Sequence, residues 1–437
     1  MKAFFLRHRK LHIWLLADLA LLAIFWLCRS SRPVMTALAG AMGTVRRAIG
    51  RVCYLTTVSV MEVLCVLLAL LAAAYVIWSV IAVSRRGAKL RPEAAAVKLT
   101  LGMAAVMSLV LGGFMALACF LSYGAVYWSA VLYGVIPPWL LAGAVWLAIA
   151  VLCSRERRQR AYSALLGAAC AGLTVYVGFC YLWGVNYYVA GFQELSGIYA
   201  EDVAKDDLKR VTRYFADRLI DTADAVERDE NGLFAVSREE IFEKSVRVYD
   251  ETARRFPFLA FDDRPPKAVY FSRIMSRMDF TGVYCPFTGE SNVNVDSPAC
   301  LLPSTIAHEL AHQRGVAAED EANFVAVLAS LENGQEDYVY SAAVMAYIYL
   351  GNALCKADSA RWAAVYATLS DAVRRDLGAH NAYWDRFDQP VKEVSDRVYT
   401  AFLRTYGDDR GLQSYGACVD LLVAYYGETA RNCEIDP

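Results

Sequence analysis

Histidine is nearly missing from this chain: five occur in 437 residues. Two further absences bound the chemistry. None of the twelve cysteines has the Cys-x-x-Cys spacing of a thiolate zinc site. With a net charge of −1 and no basic stripe, the chain has no electrostatic footprint for nucleic acid. Beyond Gln193 no long apolar run occurs, and charges are spread throughout, as in an ordinary soluble domain large enough for its own core. What is abundant is apolar. Hydrophobic residues make up 57% of the chain, above the usual share for a soluble domain, and nearly all the excess precedes Gln193. Cys28, Cys53, Cys65, Cys119, Cys153, Cys170 and Cys180 lie in or beside apolar segments and read as small hydrophobes. Cys285, Cys300, Cys355, Cys418 and Cys433 lie in the polar part. A Cys285–Cys300 disulfide is expected only if that part lies outside the cytoplasm.

Five apolar stretches, 12–28, 63–83, 99–121, 131–153 and 162–183, approach the roughly 20 residues that cross a bilayer. Lys2, Arg7, Arg9 and Lys10 precede the first stretch, but Arg29 and Arg32 follow it without a small-x-small cleavage site, so it reads as an anchor helix rather than a signal peptide. Pro137-Pro138 should bend the fourth. Arg85, Arg86, Lys89, Arg91 and Lys98, then Arg155, Arg157, Arg158 and Arg160, mark cytoplasmic loops. The N-terminus is then cytoplasmic, and five spans put the C-terminal part outside. Arg29, Arg32, Arg46, Arg47 and Arg51, between the first two spans, run against this unless they form an amphipathic surface segment. Asp18 and Glu62, in or near spans, lack an evident basic partner, which weighs against a proton relay. The expected architecture is a multi-pass α-helical membrane region over residues 1–190, then an extracytoplasmic, mainly α (α+β) domain with a small sheet over residues 191–437. Helical periodicity covers 202–224, 238–256, 304–315, 318–332, 338–356, 360–377, 391–406 and 412–426; strand patterns cover 268–272 and 282–295.

The rare histidines become informative in Ser304-Thr-Ile-Ala-His-Glu-Leu-Ala-His312. On a helix, His308 and His312 share a face one turn apart and can hold one zinc ion, with Glu309 beside them as general base. In so histidine-poor a chain, a chance match is far less plausible than a metal site. A catalytic zinc site takes three protein ligands and leaves a fourth position to water. Gly315 can end the helix and reverse the chain, bringing in Glu319-Asp-Glu-Ala-Asn-Phe324. Glu319 is the expected third ligand, with Glu321 the main rival and Asp320 behind both. Asn323, four residues on, is the candidate to orient a ligand histidine. A plain solvated acidic helix start accounts for two of these acids more easily than for all three.

These motifs resemble the zincin superfamily of metallopeptidases. His308-Glu309-x-x-His312 with Glu319-x-x-Ala322-Asn323 is similar to the paired motifs of membrane CAAX-type and ImmA/IrrE-type peptidases. The wider chain resembles a bacterial membrane family catalogued as domain of unknown function 3810. It does so through Trp183-Gly-Val-Asn-Tyr-Tyr188, Pro286-Phe-Thr-Gly-Glu-Ser-Asn292, His308–Gly315 with 319–324, and Ser414-Tyr-Gly416. The His312-to-Glu319 interval is shorter than in CAAX-type enzymes and closer to metzincins, whose third-ligand position falls on Ala318. The zincin resemblance implies a zincin-like domain in which a strand before the helix receives extended substrate. Segment 282–295 occupies that place, so Glu290, Asn292 and Asn294 either face substrate or form the outer face of a hairpin. His380, Tyr383 and Tyr415 are candidates to stabilise a transition state. The expected activity is a zinc metallopeptidase with one zinc ion, the lipid bilayer and a peptide or protein substrate as partners, and no nucleic acid. Two other readings compete: a zinc-binding sensory or scaffold membrane protein without hydrolysis, and a transporter-like membrane protein.

Overall fold

A computed structural model describes residues 8–84, 96, 99–102, 104, 139–146, 155–201, 203–387 and 414–435. Expected spans 99–121 and 131–153 therefore lie largely outside the described residues, as do the helix at 391–406 and Pro137-Pro138. The chain forms two compact units: Met1–Ser30 with Val63–Tyr181, and Ser31–Glu62 with Leu182–Pro437.

In the first unit, α1 (Arg9–Cys28) pairs with the long helix that spans Arg155–Leu182. Polar side chains stitch the pair. His12 bonds Tyr162, Thr174 donates to the Asp18 carboxylate at 2.8 Å, and the Tyr181 hydroxyl donates to the Leu21 carbonyl. The partners rise together in number, so the two helices run in the same direction. Asp18 thus has a hydroxyl donor where the sequence suggested no partner.

α2 (Arg32–Cys53) opens the second unit, with Pro33 in its first turn, where a missing N–H costs nothing. It is strongly amphipathic. It is the amphipathic segment expected between the first two apolar stretches; it falls within residues 1–190 of the expected membrane region, yet packs into the C-terminal unit, with Gly50 against the Gly289 backbone. Arg32, Arg46, Arg47 and Arg51 make it too polar to span a bilayer, and Gly50 permits the close approach. α3 (Val60–Ser84) follows, and α4 is the Arg155–Leu182 helix already met.

The second unit is mostly helical. It contains α5 (Lys205–Ala223), then β1 (Lys267–Ala268), β2 (Gly282–Cys285) and β3 (Glu290–Val293), in the order β1-β3-β2. β1 runs parallel to β3; β2 is antiparallel to it, with Val283 opposite Asn292. Then come α6 (Leu302–Gln313), α7 (Glu319–Asn333), α8 (Glu336–Ala357), α9 (Ser359–Tyr366), α10 (Asp371–Trp384) and α11 (Ser414–Ile435). The strand expected over 268–272 is shorter, because Ser272 starts a helical turn, and the helix expected over 238–256 is broken into short pieces. The helix expected over 360–377 is two, because the Ser370 side chain caps a new start by accepting from the Val373 N–H.

Among the described residues, three helices are long and apolar enough to cross a membrane: Arg9–Cys28, Ala161–Leu182 and Glu336–Ala357. The third is a core helix. Tyr338, Tyr340, Val344 and Leu350 are fully buried in one hydrophobic cluster with Val211 and Phe215 of α5 and Phe324 of α7. Cys300 is buried in that cluster and Cys285 lies on β2; both are free thiols, so the disulfide is not formed.

A buried ion pair holds the start of this unit to its sheet. Lys267 of β1 donates to Glu290 of β3 and to the carbonyls of Cys53 and Val58. Glu290 also accepts from the Val60 and Met61 N–H groups at the start of α3. Breaking a buried pair by removing one partner costs about 3–5 kcal/mol. Lys267→Met should therefore lower the unfolding temperature of the full-length protein markedly, and adding Glu290→Gln should restore part of it. Thermal unfolding in detergent checks this; a wild-type midpoint for Lys267→Met would show that the pair stabilises nothing.

Candidate metal centre

Pro303 stands in the first turn of α6, and the helix closes in a Schellman turn. Gly315 has a φ of 96°, its N–H donates to the His312 carbonyl, and the Val316 N–H donates to the Ala311 carbonyl. Glycine is the residue that takes this left-handed conformation without strain. The reversal brings α7 back beside α6 and turns the Val316 carbonyl toward His312.

His308, His312 and Glu319 come together, their ligand atoms within 4.8 Å of one another. The Nε2 atoms of His308 and His312 lie 3.3 and 3.5 Å from the two Glu319 oxygens. A tetrahedral zinc ion with ligands at about 2.0–2.1 Å separates them by roughly 3.3 Å, so this donor set fits such an ion. The tautomer fits as well. His312 Nδ1 lies 2.7 Å from the Val316 carbonyl, which accepts a hydrogen bond from Nδ1–H and so leaves the Nε2 lone pair for a metal. Trp183 packs edge-on to the same ring, at 5.8 Å between centroids.

Electrostatics support a cation here. Burial alone would raise the Glu319 carboxyl, but His312 and His308 outweigh it and hold it well below the carboxylate range. Burial would lower His312, yet Glu319 overcomes this and lifts it to about 9. The protein thus favours positive charge at this point, carried by a proton when no metal competes. Burial pushes Glu309 up to about 7 against the opposing pull of His308 and His312.

Glu309 is buried, receives a hydrogen bond from the Tyr284 backbone, and has no protein partner for Oε2. Its neighbour on β2 is Gly282, where a Cβ would lie 2.3 Å from Glu309 Oε1. Only a residue without a side chain lets the strand pass this close.

The other candidates fall elsewhere. Glu321 faces away from the histidines, accepting from the backbone N–H groups of Phe192 and Gln193. Asp320 is buried on α7 but is not in the cluster. Asn323, the expected partner of a ligand histidine, is buried with Nδ2 unpartnered; the His312 ring is oriented by the Val316 carbonyl, and His308 Nδ1 has no protein partner. Glu290 and Asn292 are fully buried in bonds to Lys267 and Ser59, and Asn294 bonds Ser276 and the Phe280 carbonyl. They hold the hairpin and do not face open space. Tyr383 bonds Ser276 and Asp296. Burial lowers the His380 pKa against the pull of Asp279. The Tyr415 side chain lies outside the described residues. No role was assigned from the sequence to Trp183, Gly282 or Val316, although Trp183 opens one of the shared motifs, Gly282 begins the expected strand 282–295 and Val316 follows Gly315.

The family described as "Protein of unknown function (DUF3810)" matches residues 114–423. No curated protein and no solved structure matches the chain.

The geometry separates the two glutamates. Glu319→Gln should weaken zinc binding by more than the 10–100-fold that loss of an orienting partner costs, on the order of 100-fold or beyond. Glu321→Gln should leave it unchanged. Metal competition titrations on the purified full-length protein test this, and equal losses would remove Glu319 from the ligand set.

Proposed function

The chain belongs to this family of unknown function, so the reading must come from its own residues: we propose a membrane-anchored, zinc-dependent hydrolase of peptide bonds. The observation that carries it is Glu309. A purely structural metal site needs no carboxylate beyond its ligands, yet here a buried carboxylate with an unpartnered oxygen adjoins the first ligand histidine. Leaving such a group unsatisfied is unfavourable, so its retention weighs toward catalysis and against a sensory or scaffold protein that merely binds zinc.

A zinc ion held by His308, His312 and Glu319 supplies a Lewis acid that draws the pKa of a water toward neutrality. The protein's own groups do the rest. Val316 fixes the His312 tautomer. The Tyr284 N–H fixes one oxygen of Glu309, so that Oε2 receives the proton from water and returns it to the leaving amine. β2 lies at the sheet's edge, and among the described residues no strand pairs with its outer side. An extended peptide adding there would pass Gly282 and meet Glu309. The apolar helices Arg9–Cys28 and Ala161–Leu182 support a membrane anchor. From the basic loops, we read the hydrolase unit as extracytoplasmic.

Glu309→Gln should keep its metal and lose hydrolysis of a peptide library by about 10²–10⁴-fold, the usual contribution of general acid–base catalysis. Unchanged turnover with full metal occupancy would leave a metal-binding protein only. Gly282→Ala, which displaces Glu309 without touching a ligand, should reproduce the loss of turnover while the metal content stays stoichiometric.

A further inference from the structure

Beside the Gly315 turn the second unit forms a half-open cavity of about 480 Å³. Gly43 and Arg46 of α2, Asn186, Phe258, Val316 and Glu321 are among its walls. None of the three candidate metal ligands lines it.

The charges around this cavity do not balance. Arg46 is buried, with 5% of its surface exposed. Its Nη1 donates to the Leu182 carbonyl at 2.8 Å, and its guanidinium lies over the Trp183 ring. No carboxylate forms an ion pair with it among the described residues. The charged or titratable groups it senses are Tyr284 and Arg47, and Arg47 repels it. The other polar groups in the wall are occupied. Glu321 is held by the Phe192 and Gln193 N–H groups, and Arg314 by Asp263 and the Leu259 carbonyl. One further group is not: the Asn186 amide is 8% exposed, and its Nδ2 has no partner. A buried cation with no carboxylate to pair it and a buried amide donor with no partner, both on one cavity, are costly to a fold unless something completes them. Guanidinium and amide N–H groups are complementary to an oxyanion. Leu195, Phe258 and Leu259 add an apolar wall beside them.

We propose that this cavity binds the oxyanion of a phosphate group, with Arg46 and Asn186 as donors and the apolar wall receiving whatever the phosphate carries. The group is either free phosphate or the headgroup of an acidic lipid. The site is separate from the metal centre and does not depend on the hydrolase reading.

The test is the unfolding temperature of full-length protein in neutral detergent at constant ionic strength. The probes are inorganic phosphate, short-chain phosphatidic acid, and short-chain phosphatidylcholine, with chloride as the control. Wild type should show a saturable rise of a few degrees with phosphate, if the free ion suffices, or with phosphatidic acid alone, if the headgroup is read. Phosphatidylcholine and chloride should give none. Arg46→Gln removes the cation, and Asn186→Asp supplies Arg46 with an internal carboxylate; both should abolish the rise. The second variant also guards against misfolding in the first, since it should unfold at or above the wild-type temperature without probe. Protein treated with a chelator, or carrying Glu309→Gln, should respond as wild type does. No rise with either phosphate probe, or a rise that survives in both variants, would overturn the proposal.

Discussion

Glu319 is a carboxylate with almost no access to water, set at the start of a helix whose other faces are packed into the core. Its charge must be met inside the protein, and His308 and His312 lie against its two oxygens. Much of the surrounding structure follows from that demand. The two helices must lie side by side, so the chain between them must reverse within a few residues, and the Schellman turn at Gly315 does so. The helix dipole adds to the balance by favouring acids in the first turn of α7. A dry pocket strengthens every interaction within it, so the same burial that makes the triad costly when incomplete makes it a strong cation site when complete.

A second constraint works on the opposite side of Glu309. The strand that passes over this carboxylate belongs to a sheet of three short strands, too small to be stable alone. It is held from below by α6 and from its far side by the Lys267–Glu290 pair, which fastens β1 and β3 to the ends of two helices from early in the chain. The position of Gly282 over Glu309 therefore depends on contacts made some 200 residues earlier in sequence, between Cys53 and Met61 and this sheet.

The helices of this unit were legible because each carries a long amphipathic or apolar period, and the motif was legible because His308 and His312 need only helical spacing to converge. Glu319 was separable from Glu321 only in part, since the choice turns on the angle at which the chain leaves Gly315, and spacing does not fix an angle. Glu290, Asn292 and Asn294 look like a polar strand face in sequence; Glu290 and Asn292 are buried against the segment that leads from α2 into α3, and Asn294 against Ser276 and Phe280, and long-range cover of the first kind leaves no local pattern. Trp183 and Arg46 escaped for the same reason. Each is an ordinary residue in its own neighbourhood, and gains its meaning from a histidine or a cavity assembled from distant segments.

α1 and the Arg155–Leu182 helix run in the same direction, and each hands the chain to the same folded unit, at residues 31 and 182. During synthesis, α2 must then wait until the residues beyond Leu182, which hold its partners, have been made. A unit divided in this way closes a long loop when α2 docks on its sheet, which makes that docking, rather than the packing of the later helices, the late step of its folding.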